Sequence, residues 1–311
     1  MAKHALPKLI AIVGPTASGK TDLALALARR FKGEVISADS RQFYRGMAVG
    51  AAIPDGVTAT RRGVRAYWVK GIAHHLMAFR SPAAQVTVAQ FQRMVARKVR
   101  EITARGHVPF LVGGTGLYVA AVVEHFTVPE VKADHAKRHA LEGKSTAALY
   151  TELVTKDPSY AARITPQNRR YIIRALEVVA ATGKPFSALQ GRAEPLYDVL
   201  RLGVTRDRTE IVERIDHRVD LMIRAGLLEE ARRLGKRYGW ELPVLSSLGH
   251  RQLGQFLRRE MSLEEAIERI KRDTRRYAKR QMTWFRRDKH IVWVKNVRQA
   301  EKRISSFLIK K

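Results

Sequence analysis

The sequence contains no cysteine in its 311 residues. Disulfides, thiolate nucleophiles and cysteine-ligated zinc are therefore excluded as sources of stability or chemistry. The absence is compatible with a reducing compartment, where disulfides do not persist.

Long apolar runs are also lacking. No stretch approaches the roughly 18 residues that a membrane-spanning helix requires, and residues 1–7 are too short for a signal peptide ahead of the first predicted strand. Apolar residues still make up 45% of the chain, which suffices for the core of one large or two smaller domains. We expect a soluble, cytoplasmic protein without a membrane partner.

Acidic residues are scarce relative to basic ones. The chain has 29 Asp and Glu against 58 Lys and Arg, a formal net charge of +29. This excess is far larger than solubility requires, and it favours a polyanionic partner such as nucleic acid. General enrichment in basic residues for other reasons is the alternative.

One segment has the pattern of a phosphate-binding loop. It matches G-x-x-x-x-G-K-[ST] and lies between a strand-like segment, 9–13, and a helix-like segment, 22–31. The glycines allow backbone N–H groups to surround a diphosphate, while Lys20 neutralises its oxygens and Thr21 can bind Mg²⁺. The pattern does not say whether the diphosphate belongs to a nucleotide, and a purely structural turn is the alternative. The loop consists of Gly14, Pro15, Thr16, Ala17, Ser18, Gly19, Lys20 and Thr21.

The first 125 residues alternate between strand-like and helix-like segments, which predicts a parallel α/β sheet flanked by helices. Strands are predicted at 9–13, 34–37 and 109–112, and a helix at 86–105. Since ligands bind at the carboxyl ends of parallel strands, we expect the phosphate loop, Asp39 and Thr115 to converge.

The pattern changes to helices without strands between residues 129 and 197, with helices predicted at 144–154 and 166–182. A strand at 199–204 then resumes the α/β pattern, followed by basic helices over 208–285 and an edge strand at 291–294. We therefore predict a core formed by 1–128 and 198–311 with an inserted helical subdomain, 129–197.

Three candidates for chemistry follow from these positions. Asp39 could act as a general base, although capping a turn and outer-shell Mg²⁺ coordination are alternatives. Thr115, in a Gly-Gly-Thr-Gly turn, could bind pyrophosphate, begin a helix, or do both. His74 and His75 are adjacent, so their side chains diverge and a shared metal site is not favoured.

Two basic segments favour a nucleic-acid partner. Arg170 and Arg174 lie four residues apart on one helical face, and an exposed charged face without a nucleic-acid partner is the alternative. Residues 271–289 hold nine Lys or Arg against two Asp, with Tyr277, Trp284 and Phe285 interspersed. Cations beside aromatic rings are typical of surfaces that bind RNA, although part of this stripe also continues an apolar face.

Taken together, these segments resemble the bacterial tRNA dimethylallyltransferases, also called tRNA isopentenyltransferases. The similarity covers nearly the whole chain in family order. Its matching segments are the phosphate loop and residues 38–40, 44–47, 74–76, 112–118, 174–178, 214–215 with 218, 249–252 and 279–286.

The resemblance implies a P-loop NTPase-like core that holds dimethylallyl diphosphate rather than ATP. The prenyl group would pass to N6 of adenosine 37 of tRNA, next to the anticodon, with release of pyrophosphate in a Mg²⁺-dependent reaction. Asp39 would accept the N6 proton, Thr115 and Arg218 would contact pyrophosphate, and Lys20 and Thr21 would serve the phosphate and the metal. The base must be extruded from its stack to react.

The resemblance also implies the RNA contacts. The inserted helices would grip the anticodon stem, and we expect the enzyme to be a monomer. The side chains expected to contact tRNA are Asp39, Ser40, Arg41, Gln42, Arg170, Arg174, Ser246, Gly249, His250, Arg251, Lys279, Arg280, Gln281, Trp284 and Arg286.

The chain departs from the family pattern at two places. After Met47 the family usually has Asp-Ile-Gly-Thr-Ala-Lys-Pro, whereas this chain has Ala48, Ala51 and Ile53 in place of the acid, the hydroxyl and the lysine. Residues 77–78 are Met-Ala where an Ile-Asp or Leu-Asp pair is usual. Any supporting role of these positions is in doubt.

Three other functions are compatible with parts of the sequence. A P-loop kinase would use the same loop for ATP, with Asp39 activating a hydroxyl group. A prenyltransferase of free adenine nucleotides would need neither the insertion nor the basic C-terminal helices. A non-enzymatic RNA-binding module would not need Lys20, Thr21 or Asp39.

Overall fold

The computed structural model describes residues 6–127, 129, 131 and 134–309, with only the backbone described at His135. The chain forms two compact units, one comprising Met1–Val123 and Leu196–Lys311 and the other Glu124–Pro195. The segment that the sequence analysis assigned to an insertion, 129–197, begins and ends a few residues later than this second unit.

Ten strands are described. In chain order they are β1 (Lys8–Val13), β2 (Gly33–Ser37), β3 (Val57–Arg61), β4 (Val64–Val69), β5 (Ile72–His75), β6 (Val108–Gly113), β7 (Phe126–Thr127), β8 (Gly191–Arg192), β9 (Asp198–Val204) and β10 (Val292–Val294).

Thirteen α-helices and one 3₁₀ turn, Pro243–Ser246, are described. The helices are α1 (Lys20–Arg30), α2 (Val88–Ala104), α3 (Gly116–Val123), α4 (His135–Glu142), α5 (Thr146–Lys156), α6 (Pro158–Ala161), α7 (Arg169–Thr182), α8 (Phe186–Leu189), α9 (Arg208–Arg224), α10 (Leu227–Tyr238), α11 (His250–Leu257), α12 (Leu263–Phe285) and α13 (Val297–Ile309). Within the described residues, none of them is both long and apolar enough to cross a bilayer.

The first unit contains an eight-stranded sheet in the order β10-β9-β1-β6-β2-β5-β4-β3. Neighbouring strands from β10 to β5 are parallel, which confirms the predicted parallel α/β core, and β10 is an edge strand as predicted. The strands β4 and β3 are antiparallel additions that the sequence analysis missed. Most residues of β3 are exposed, so its sequence lacks the apolar alternation of a half-buried strand.

Helices cover both faces of this sheet. Leu23 and Leu27 of α1 pack with Ile304 of α13 on one face, and Phe91 and Val95 of α2 pack on the other. The helices α1 and α2 were predicted from the sequence, whereas α13 was not. Because apolar layers lie on both sides, β1 and β2 are almost entirely buried, as expected of central parallel strands.

The second unit is built mainly from helices α4 to α8. Leu149 and Leu153 of α5 pack against Ile172 and Leu176 of α7 in its core. The predicted helices at 144–154 and 166–182 correspond to α5 and α7. The expectation of no strands in this segment is wrong at β8, which pairs antiparallel with β7.

Candidate active site

The phosphate loop runs from the end of β1 into the first turn of α1. Gly19 precedes the helix in the left-handed region with φ of 88°, which favours glycine, and the Lys20 amine donates to the carbonyl of Pro15 at 3.2 Å. Two arginines bind the loop from outside: Arg206 donates to the Ser18 carbonyl at 2.8 Å and Arg214 to the Ala17 carbonyl at 2.9 Å. These cations fix the loop and add positive potential where an anion would bind. The sequence analysis did not identify Arg206 as a site residue, although it follows β9 at the carboxyl edge of the sheet.

A cavity of about 580 Å³ opens beside this loop at the carboxyl edge of the sheet. Lys20 and Thr21 line it together with Asp39, which follows β2, and Arg218 of α9. The resemblance assigned the reaction to these four side chains and to Thr115, and the fold brings the four to one cavity.

Positive charge in the cavity is partly destabilised by burial. Burial lowers the pKa of Lys20 to about 8, with Asp39 acting in the opposite direction and Arg218 adding to the decrease. Burial also lowers the pKa of Arg218, again against the effect of Asp39. A bound diphosphate would place negative charge beside these two side chains and so favour their charged forms.

Asp39 is held in a defined turn. Its Oδ1 accepts the backbone N–H of Arg41 at 3.0 Å, and its own N–H donates to the hydroxyl oxygen of Ser37 at 3.4 Å. The predicted turn capping is therefore present, and it coexists with a position on the cavity wall. A carboxylate fixed by its neighbours in this way is suited to accept a proton at a set place.

Thr115 lies at the start of α3, one of the two roles considered from the sequence, since its carbonyl accepts the backbone N–H of Val119 at 3.1 Å. Its Oγ1 accepts the backbone N–H of Ser40 at 3.1 Å, and its own N–H donates to the carbonyl of Ala38 at 3.4 Å. Within the described part of the chain it is not among the residues that line the cavity. Its hydroxyl thus supports the turn that carries Asp39.

Two further side chains of the cavity wall were not identified as site residues from the sequence. His74 of β5 has its Nδ1 at 3.1 Å from the carbonyl of Ile72, its Nε2 has no hydrogen-bond partner within the described residues, and burial lowers its pKa to about 4. Burial raises the pKa of Tyr277 to about 12, and Asp39 contributes to the increase. Both side chains are therefore neutral near pH 7. His75 points away from this wall and bonds to the buried carboxylate of Glu34 at 2.6 Å, so the two histidines diverge as expected.

Most of the side chains expected to contact RNA lie at the cavity or on the surface. Ser40, Arg41, Gln42, Ser246, Gly249, Arg251 and Arg280 line the cavity, and Arg170, Lys279 and Arg286 are exposed. Trp284 is 39% exposed. Arg174, in the second unit, is half-buried and donates to the carbonyls of Pro129 and Val131 at 3.4 and 3.3 Å.

Two of the expected RNA contacts are interior side chains. His250 is fully buried, with its Nε2 at 3.0 Å from Glu230 and its Nδ1 at 3.2 Å from the Ser247 hydroxyl. Gln281 is 6% exposed, and its carboxamide bonds to backbone groups of Thr16 and Gly114. Because their polar atoms are already used inside the protein, these side chains do not provide an RNA surface.

Glu230 also anchors the segment in which the chain departs from the family pattern. Its two carboxylate oxygens accept the backbone N–H groups of Val49 at 2.9 Å and Gly50 at 2.8 Å. The segment is thus fixed by its backbone. The side chains of Ala48 and Ile53 take no part in these bonds.

The oxygen donors of the cavity suit a Mg²⁺ ion that is bound mainly through a substrate. Thr21 and Asp39 both line it, whereas the described residues include no cluster of three or more His, Asp or Glu side chains able to hold a metal alone. Mg²⁺ is commonly held by one or two protein oxygens while phosphate oxygens and water complete its shell. The donor set therefore fits this ion.

Two named relatives are similar to this chain over most of its length. It is 44% identical over 292 residues to the tRNA dimethylallyltransferase of Symbiobacterium thermophilum, covering 92% of this chain and 88% of the relative. It is 43% identical over 292 residues to the tRNA dimethylallyltransferase of Geobacillus kaustophilus, covering 92% and 90%.

Solved structures agree with these relatives. The tRNA isopentenylpyrophosphate transferase of Bacillus halodurans is 38% identical, with 97% of both chains covered and a TM-score of 0.70. A eukaryotic dimethylallyltransferase acting on tRNA is 28% identical, with 97% of this chain and 77% of the other covered and a TM-score of 0.76. The sequence profile of the family described as IPP transferase matches residues 42–288. The chain therefore belongs to the IPP transferase family.

Proposed function

We propose that this chain transfers a dimethylallyl group from dimethylallyl diphosphate to N6 of an adenosine next to the anticodon of tRNA, releasing pyrophosphate. The observation that carries the proposal is the shared cavity. A phosphate loop with Lys20, a carboxylate at Asp39 and a guanidinium at Arg218 line the same space. Named relatives that match nearly the whole chain are tRNA dimethylallyltransferases.

The leaving group is the main catalytic problem. An allylic C–O bond breaks readily once the departing diphosphate is stabilised, and buried cations and backbone N–H groups stabilise such an anion strongly. Lys20 and Arg218 supply this charge, and Arg206 and Arg214 hold the loop that supplies the amides. Mg²⁺ bound at the Thr21 hydroxyl would neutralise further charge on the diphosphate.

Asp39 takes up the proton of the acceptor. As the bond between N6 and the prenyl carbon forms and the C–O bond breaks, N6 becomes cationic and loses a proton to the Asp39 carboxylate. The turn bonds from Arg41 and Ser37 set the position of this carboxylate. Pyrophosphate leaves with the bonding electrons of the C–O bond, so charge and atoms balance.

The RNA would approach the mouth of the cavity. Arg41, Arg251 and Arg280 line the cavity, and Lys279 and Arg286 are exposed on and just beyond α12. An anticodon loop permits a base to be extruded at lower cost than a duplex does. The exposed Arg170 makes the second unit a candidate for contact with the anticodon stem. We place the reaction in the cytoplasm, and we expect a monomer.

The test is incubation of the purified protein with radiolabelled dimethylallyl diphosphate, Mg²⁺ and bulk tRNA. We expect label in the RNA, which nuclease digestion and chromatography should locate on adenosine, and none when that adenosine is replaced by guanosine. A parallel reaction with γ-labelled ATP and small hydroxyl acceptors tests a kinase. Phosphate transfer without prenylation of RNA would contradict the proposal.

A further inference from the structure

The carboxamide of Gln281 connects two loops of the candidate active site. Its Oε1 accepts the backbone N–H of Thr16 in the phosphate loop at 2.9 Å. Its Nε2 donates to the carbonyl oxygen of Gly114, in the turn after β6, at 2.8 Å.

The second of these loops leads directly to Asp39. Gly114 precedes Thr115, which accepts the N–H of Ser40 and donates its own N–H to Ala38, the two neighbours of Asp39. Hydrogen bonds therefore connect Thr16 to Gln281 and Gln281 to Gly114, and from Gly114 the chain passes through Thr115 to further hydrogen bonds with the Asp39 turn. These bonds connect the phosphate loop, which would hold the leaving diphosphate, to Asp39, which would accept the proton.

Gln281 lies on α12 beside residues of a different kind. Lys279 and Arg280 on this helix are exposed, whereas Gln281 is buried. Trp284, one turn further on, packs against the start of α3, where a side-chain carbon at Gly116 would lie 2.3 Å from its ring. One helix thus carries exposed cations on one side and the link between the two loops on the other.

The two hydrogen bonds that join Gln281 to Thr16 and Gly114, called the link below, require a neutral carboxamide. It must accept from one backbone N–H and donate to one backbone carbonyl, and a carboxylate cannot donate while an aliphatic side chain can do neither. Leaving either backbone group unsatisfied in this buried place is unfavourable, so the loops would shift to find other partners.

We propose that Gln281 is a positioning residue that holds the phosphate loop and the Asp39 turn in register, and that it does not contact RNA. The catalytic part of this proposal rests on the proposed function, because the relative position of the two loops matters only if diphosphate departure and proton acceptance occur in one reaction. For diphosphate binding it rests only on the geometry of the loops. The two claims can therefore fail separately.

The first measurement uses inorganic pyrophosphate with Mg²⁺ and the full-length protein. We expect Gln281→Leu to weaken pyrophosphate binding about tenfold in calorimetry, because the loop loses its fixed conformation. Affinity for unmodified tRNA should change less than twofold. The matched control on the same helix, Lys279→Gln, should weaken tRNA binding and leave pyrophosphate affinity nearly unchanged.

A second variant breaks the link from the other side. A side-chain carbon at Gly114 would lie 2.4 Å from the Gln281 Nε2, and Gly114 does not have a positive φ. Gly114→Ala should therefore displace the carboxamide without straining the backbone and reproduce the loss of pyrophosphate affinity. Because both changes remove the same link, the double variant with Gln281→Leu should be little worse than either single one.

A pH profile separates positioning from a merely structural effect. In Gln281→Glu the ionised carboxyl can accept from Thr16 but cannot donate to Gly114, whereas the protonated form can do both. We expect its pyrophosphate affinity, relative to the unmodified protein, to recover as pH falls from 8 to 5.5. Gln281→Leu should show no recovery.

Two results would overturn the inference. Unchanged pyrophosphate affinity in both Gln281→Leu and Gly114→Ala would show that the link does not set the loop. Loss of tRNA affinity with intact pyrophosphate binding in Gln281→Leu would make the residue an RNA contact. If the unmodified protein fails to prenylate tRNA while these binding effects appear, the proposed function is wrong and the link remains.

Discussion

The hydroxyl oxygen of Thr115 accepts the backbone N–H of Ser40 at 3.1 Å, which ties the end of β6 to the residue after Asp39. We expect Thr115→Val, which removes the acceptor but keeps the shape, to lower kcat about tenfold because the Asp39 turn loosens. Thr115→Ser restores the oxygen and should restore the rate. Pyrophosphate affinity, measured by calorimetry, should stay within twofold. A large loss of affinity would instead support a direct contact between Thr115 and diphosphate.

Asp39→Asn should lower the single-turnover rate by roughly 10²- to 10⁴-fold, the usual contribution of a general base. The amide oxygen can still accept the Arg41 N–H, so the turn should persist. Rapid-quench assays with labelled dimethylallyl diphosphate measure the rate, and filter binding measures tRNA affinity, which should be nearly unchanged. An unaltered rate would remove Asp39 as the base.

Pyrophosphate binding should depend on the charge of Lys20. Because its pKa is lowered to about 8, the amine loses its charge as pH rises through that value, and affinity should fall about tenfold by pH 9. Lys20→Arg stays charged over this range and is the matched control, since the protonation of pyrophosphate itself affects both proteins equally. The measurement is the ratio of the two affinities between pH 7 and 9. A constant ratio would contradict the prediction.

Neutralising Lys279 and Arg280 together, as Lys279→Gln and Arg280→Gln, should weaken tRNA binding and reduce the slope of log K against log salt by about one to two. Both side chains are exposed on α12. The pair Lys302→Gln and Arg303→Gln, exposed on α13, changes the charge equally and should leave the slope almost unaltered. Equal effects of the two pairs would point to net charge rather than to a defined RNA surface.

The buried His74 should make folding stability depend on pH. Its pKa is lowered to about 4 in the folded protein from an ordinary value of 6.5, so the unfolded chain binds its proton first as pH falls. The contribution is complete above pH 6.5 and is lost progressively between pH 6.5 and 4, by roughly 3 kcal/mol in total. Urea unfolding at pH 7 and pH 4 measures it.

Other groups also titrate in this range, so the comparison is with a variant. His74→Phe cannot bind the proton, and its stability should fall correspondingly less over the same interval. A parallel decrease in both proteins would show that His74 does not contribute to the pH dependence.

The parts of the fold that local pattern determines were predicted from the sequence. The alternation of strand-like and helix-like segments identified β1, β2 and β6. The rule that ligands bind at the carboxyl ends of parallel strands then predicted that Lys20 and Asp39 lie near each other. The strand β3 was missed because an exposed strand carries little apolar periodicity.

Side-chain partners far apart in sequence could not be predicted. The resemblance to the family placed Gln281 among the RNA contacts, but its hydrogen-bond partners, Thr16 and Gly114, are 265 and 167 residues away. His250 was assigned in the same way and bonds to Glu230 instead. A local pattern shows which residue types are present, whereas only the packed fold shows which of them face inward.

The Glu230 carboxylate accepts the backbone N–H groups of Val49 and Gly50 and so anchors their segment through its main chain. Every residue except proline offers the same N–H group, so the bonds themselves do not depend on the side chains of the segment. Replacement of an acid, a hydroxyl and a lysine by Ala48, Ala51 and Ile53 leaves that anchor in place. Gly50 is the exception, because a side-chain carbon there would lie 2.3 Å from the ring of the buried His250. Mutational drift at Ala48, Ala51 and Ile53 should therefore spare the shape of the cavity wall, while a change at Gly50 or Glu230 would not.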